Sequence, residues 1–151
     1  MKKSLIVGSV LVASVVGISA IQDPKLPNQI KNSGDTELNI LVSDLEQKQT
    51  QYVKENGTYW QGLRTQPSPP SKQEISNLGS KADNGKSWDD MEIQVPSLSR
   101  FSYRIDVYDG PSGKGYVLII QTEEDGKMYQ KSINVGSETY RGRDWTYIPP
   151  L

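Results

Sequence analysis

The spacing of apolar residues changes along the chain, and each change marks an element. Behind Met1-Lys2-Lys3, the run Leu5 to Ile18 is uncharged and apolar, and it closes on Ile18-Ser19-Ala20. A positive start, an apolar middle and a small final residue are the parts of a secretory signal peptide. Residues 1–20 are therefore expected to be a signal peptide cleaved after Ala20 or an uncleaved N-terminal anchor, the stretch being at the lower limit for crossing a bilayer. Residues 21–34 are polar, hold Pro24 and Pro27 and show no apolar period, so they read as a flexible tether. Asp35–Gly57 predicts an amphipathic helix: Leu38, Leu41, Val42, Leu45, Tyr52 and Val53 follow helical spacing and share one stripe. Asp35 is suited to cap its first turn, and Asn56-Gly57 supplies a left-handed stop. Ile40 lies off the stripe.

Thr65–Lys72 carries three prolines, which remove amide donors and favour extended backbone; Glu74–Asp90 is polar and broken by glycine. Together, residues 65–90 predict a long surface loop. From Met91 the period becomes two. Met91, Ile93 and Val95 alternate with polar residues, as do Phe101, Tyr103, Ile105 and Val107, and Tyr116 to Glu123 forms a further strand. Asp125-Gly126 is a strong two-residue hairpin signal. With that turn, Tyr116 faces Val135, Leu118 faces Ile133, Thr122 faces Tyr129 and Gln121 faces Gln130, which sorts apolar and polar residues onto separate faces. Across the loop Asp109–Gly115, the same sorting sets Ile105 opposite Leu118 or Ile120. Thr139–Ile148 is suited to an edge strand that Pro149-Pro150 ends. The expected fold is α+β, with one long N-terminal helix packed on a 3–5 stranded antiparallel C-terminal sheet, residues 35–151 forming a single domain.

Composition narrows the chemistry. The 151 residues hold no Cys and no His, and the formal net charge is −1. Disulfides, zinc–thiolate sites, thiol nucleophiles and His–Asp triads are excluded, and there is no global electrostatic footprint for nucleic acid. The stretch Gly110–Gly115 (GPSGKG) lacks the Ser/Thr after lysine and the following helix of a phosphate-binding loop, so it reads as a hairpin loop. Asp83, Asn84, Asp89, Asp90 and Glu92 make the densest acidic cluster, but without the alternation of a calcium loop. Asp106, Asp109, Glu123 and Glu124 fall near hairpin ends, where carboxylates are ordinarily solvated rather than paired around a cleft. No enzyme, cofactor or metal is expected.

Asp44-Leu45, Gln47, Gln49, Tyr52, Glu55 and Asn56-Gly57-Thr58-Tyr59 resemble the helix end of type IV pilins and type II secretion pseudopilins. In that family an amphipathic helix closes with an aromatic residue and an Asn/Asp-Gly-x-Tyr stop, then packs on a C-terminal antiparallel sheet. The chain departs from the family in having no Glu early in the apolar run, in Pro24 and Pro27, and in lacking a C-terminal cysteine pair. The resemblance thus implies a pilin-like domain on a leader or anchor, in an exported bacterial protein with a structural or adhesive role.

The aromatic residues outside the expected core suggest where contacts form. Trp88 in a polar loop, with Tyr140, Trp145 and Tyr147 near the C-terminus, is expected to give a contact surface. The partners expected are proteins or further copies of the chain, or a cell-surface glycan, with membrane contact only through an uncleaved N-terminal segment. The location expected is secreted, periplasmic or cell-surface. The alternative is a soluble secreted carbohydrate- or peptide-binding module using the same aromatics.

Overall fold

The computed structural model describes residues 23–68, 74–81, 85–96, 99–110, 113–136 and 142–151. The expected signal peptide or anchor lies outside the described residues. Among them, one helix, α1 (Asn28–Asn56), precedes four strands: β1 (Ser102–Gly110), β2 (Gly113–Glu124), β3 (Lys127–Val135) and β4 (Arg143–Ile148). The strands form one antiparallel sheet in the order of the chain. The fold is α+β, with one helix on a sheet.

The helix begins at Asn28, not at Asp35, so the second half of the expected tether is helical. Pro27 enters with φ −57° and ψ 142°, and its carbonyl accepts the amides of Ile30 and Lys31 at 3.1 Å each. Those bonds start the helix without a side-chain cap. The buried stripe is Ile30, Gly34, Leu38, Leu41, Leu45, Gln49 and Tyr52, one residue every three or four along the whole length. Two members of that stripe, Gly34 and Gln49, are not apolar, and the first hid the early turns. A Cβ on Gly34 would lie 2.8 Å from Cζ of Phe101, so glycine lets that ring rest against the helix backbone. Asp35, expected as a cap, instead lies in the helix body and reaches Lys131 of β3 at 3.5 Å. At the far end Gly57 is left-handed (φ 77°) and its amide bonds Val53 O at 2.9 Å, as Asn56-Gly57 predicts.

The sheet keeps the expected registers. Tyr116 pairs with Val135, Leu118 with Ile133, Gln121 with Gln130 and Thr122 with Tyr129; Ile105 pairs with Leu118. One face therefore presents Tyr103, Ile105, Tyr116, Leu118, Ile120 and Tyr129 to the helix, all buried. Arg143–Ile148 adds the edge strand, with Trp145 and Tyr147 on the helix side. Gly110 pairs with Gly113, so the glycine-rich stretch is a hairpin end between paired strands.

The expected strand at Met91–Val95 does not form. Residues 88–92 make a turn and 93–96 run irregularly, yet Met91 and Ile93 are buried in the same core as the helix stripe. Their alternation marks burial on one side, without a partner strand. Chain beyond the helix supplies a different edge: Gly62 and Ile105 exchange both amide bonds at 3.2 and 3.1 Å, and Thr65 N bonds Tyr103 O at 2.9 Å. The outer edge of β1 is thus covered by the segment 62–65. No helix among the described residues is long and apolar enough to cross a membrane.

Candidate functional site

Trp88 is not a surface residue. It is 1 % exposed, its ring stands edge-on to Trp60 with centroids 5.1 Å apart, and its Nε1 donates to Leu63 O at 2.7 Å. The turn that carries it is a reciprocal cap. Ser87 N donates to Asp90 Oδ2 and Asp90 N donates to Ser87 Oγ, both at 3.0 Å, while Lys81 pairs with Asp90 at 2.6 Å. These bonds hold the Asp90 carboxyl at a pKa of about 2: the Lys81 bond contributes most, then the Ser87 amide. With both flanks tied, Trp88 points inward onto Gly62, where a Cβ would meet Trp60 at 2.8 Å and Trp88 at 3.1 Å. Asp90 is committed to this cap, and Asp83 and Asn84 of the acidic cluster lie outside the described residues.

Trp145 and Tyr147 are half-buried. Trp145 tilts over Phe101 with centroids 5.7 Å apart, and Tyr147 lies beside its partner Tyr129 at 5.9 Å. They extend the core across β4 while leaving part of each ring at the surface. Tyr140 lies outside the described residues. The structure therefore brings together Trp145 and Tyr147 and takes Trp88 away from them, into the interior.

Two other surfaces carry more chemistry than these rings. The first is the sheet face turned away from α1. Arg104 pairs with Asp106 at 2.9 Å, Arg64 Nη1 donates to Ser102 Oγ at 3.3 Å, and Gln121 Nε2 donates to Gln130 Oε1 at 2.8 Å. Burial lowers the pKa of Arg64, the charge of Arg104 lowers it further, and Asp106 acts in the opposite sense. Val117 lies among these groups and is 6 % exposed. Polar side chains with a small apolar centre are the composition of a non-obligate protein contact.

The second is a cavity of about 280 Å³ between the last turns of α1 and the start of β2, lined by Glu46, Gln49, Thr50, Tyr59, Tyr116 and Val135. Gln49 is 1 % exposed, and both ends of its amide bond Trp60: Nε2 donates to the backbone O and Oε1 accepts the backbone N–H, both at 2.7 Å. This bracket holds the chain after Gly57 against the helix and places Tyr59 beside Tyr116. Their rings meet edge-on, 5.1 Å apart at 60°. Tyr116 is 1 % exposed and its buried hydroxyl has no hydrogen-bond partner. Burial, then the nearby Glu46 and Tyr59, push its pKa well above the ordinary tyrosine value.

Comparison with known proteins finds no matching family model, no matching curated protein and no matching solved structure. The geometry of these surfaces is thus the basis for a functional reading. Among the described residues no group of three or more acidic, Cys or His side chains is placed to hold a metal ion.

Sequence reasoning missed Gln49, Tyr59 and Tyr116 as a group. Gln49 carried a signal, since it occupies a stripe position between Leu45 and Tyr52, and a polar residue there must find buried partners. The meeting of Tyr59 with Tyr116 carried none, because it joins the helix exit to a distant strand.

Proposed function

We propose that the chain is an exported structural or adhesive subunit of pilin-like type that acts through protein contacts rather than catalysis. The observation behind this reading is the disposition of α1 on the sheet. The helix lies over one sheet face from Asn28 to its Asn56-Gly57 stop and leaves the Arg64–Arg104–Gln121 face outward. The apolar leader joins close to the helix start, so in an anchored chain it would hold the domain by that end. Supporting the reading further, the helical stop and the helix-then-meander order match the resemblance on which it is founded.

The test is fractionation of the native protein with mass spectrometry of its N-terminus, and photo-crosslinking from position 121. Recovery in the envelope or medium, with crosslinks to a second copy or to one defined protein, is the expected result. A cytoplasmic protein, or an exported one that gives no crosslink from that face, would overturn it.

A further inference from the structure

The outer sheet face carries two neighbouring guanidiniums. Strand alternation puts Arg104 on the same face as Ser102, and the edge segment 62–65 brings Arg64 over β1, where its Nη1 donates to Ser102 Oγ at 3.3 Å. The neighbours across the sheet are uncharged: Ser102 lies opposite Gln121 and Arg104 opposite Ile119. Asp106 is the carboxylate that offsets the pair, and it is bound to Arg104 at 2.9 Å. Among the described residues Arg64 forms no ion pair. Two guanidiniums against one carboxylate leave one positive charge over.

That charge is both unsettled and reachable. Burial, then the charge of Arg104, lower the Arg64 pKa, and Asp106 reverses this only in part. Arg104 keeps 40 % of its side-chain surface and Asp106 44 %. Because Arg104 Nε is buried, an incoming group meets the terminal nitrogens. Like charges held together on a partly dry face destabilise the free protein, and an anion placed between them removes that penalty. A guanidinium is a planar fork of N–H donors that suits the two oxygens of a carboxylate. One carboxylate also matches the single charge left over, whereas a phosphate group brings about two negative charges.

We propose that Arg64 and Arg104 together receive the carboxylate of an aspartate or glutamate side chain on the protein that docks against this face, their terminal nitrogens donating to its two oxygens. The site rests on the reading of the outer sheet face as a protein contact, and it names the chemistry that the partner presents there.

The native protein is titrated with the peptides acetyl-Gly-Glu-Gly-amide and acetyl-Gly-Gln-Gly-amide and with inorganic phosphate, read by NMR at the arginine Nε–Hε signals. The glutamate peptide is expected to shift the Arg64 and Arg104 signals saturably at millimolar concentration, about tenfold more weakly in about 0.5 M salt, and the glutamine peptide to leave them in place. In crosslinking from position 121, Arg64→Gln combined with Arg104→Gln is expected to lower the yield at least about tenfold at an unchanged melting temperature. Arg64→Lys should recover only part of the binding, since an ammonium lacks the fork. Equal shifts by the two peptides, no shift by the glutamate peptide up to about 50 mM, or tighter binding of phosphate overturns the proposal. An undiminished crosslink in the double variant overturns it as well, while leaving the docking face in place. Absence of any crosslink from the unaltered protein overturns the face and this site together.

Discussion

The sheet and the layer of chain between Gly57 and Pro96 are held by opposite means. In the sheet, each residue's environment is set by its neighbours in sequence: alternation sends Ile105, Leu118 and Tyr129 to one side and Arg104 and Gln121 to the other. Among its described residues the intervening layer has almost no regular structure, yet it contains two of the largest fully buried side chains, Trp60 and Trp88. It is fastened by side chains that bond backbone. Gln49 brackets Trp60, Asn77 bridges Arg64 O and Gln66 N at 2.8 Å each, and Ser87 with Asp90 closes the Trp88 turn. A segment that looks like surface loop by composition can thus be part of the core when amides of Asn and Gln replace strand pairing.

That contrast can be broken most directly by truncating one large side chain from each region. Trp88→Ala is expected to cost about 3–5 kcal/mol and Ile105→Ala about 2–5 kcal/mol, read from urea unfolding. A loss below about 1 kcal/mol for Trp88→Ala would show that the layer does not share the core. Gln49→Ala comes next. It leaves the Trp60 N–H and C=O unpaired in a buried place, and about 2–3 kcal/mol of destabilisation is expected in the same assay. Gly62→Ala should cost about 1–3 kcal/mol, because its Cβ has to displace both indoles; tryptophan near-UV dichroism reports whether they move.

The smallest effect is on Asp90, whose folded pKa is depressed to about 2. A depressed carboxylate stabilises above its unfolded pKa, near 3.9, and that contribution fades as pH falls toward the folded value. Acid titration followed by Trp88 fluorescence should therefore show the turn loosening between about pH 4 and pH 2, and Asp90→Asn should remove that step. A step that persists in the variant would place the acid-sensitive contact elsewhere.

The candidate sites divide along the same line. Trp145 and Tyr147 were legible as edge-strand residues, since they alternate beside Pro149-Pro150, and they do leave part of each ring at the surface. Trp88 was misread because a polar loop suggests exposure, although Ser87-Trp88-Asp89-Asp90 spells the capping box that turns the indole inward. The early start of α1 was hidden for a related reason. Gly34 looked like a breaker, but in the fold it is the position where the Phe101 ring needs an absent Cβ.

By itself, the sequence determined the helix stop at Asn56-Gly57, the β2–β3 register and the helix-first α+β order, and it narrowed the β1–β2 register to two choices. Those features depend on contacts a few residues apart or on a period that one strand displays alone. Only the tertiary structure decided that Trp60 and Trp88 meet, that Gln49 spends its amide on the chain after the helix, and that Tyr59 and Tyr116 wall a cavity with an unanswered hydroxyl. Each of those joins residues far apart in the chain through shape and hydrogen-bond geometry, which no local pattern records.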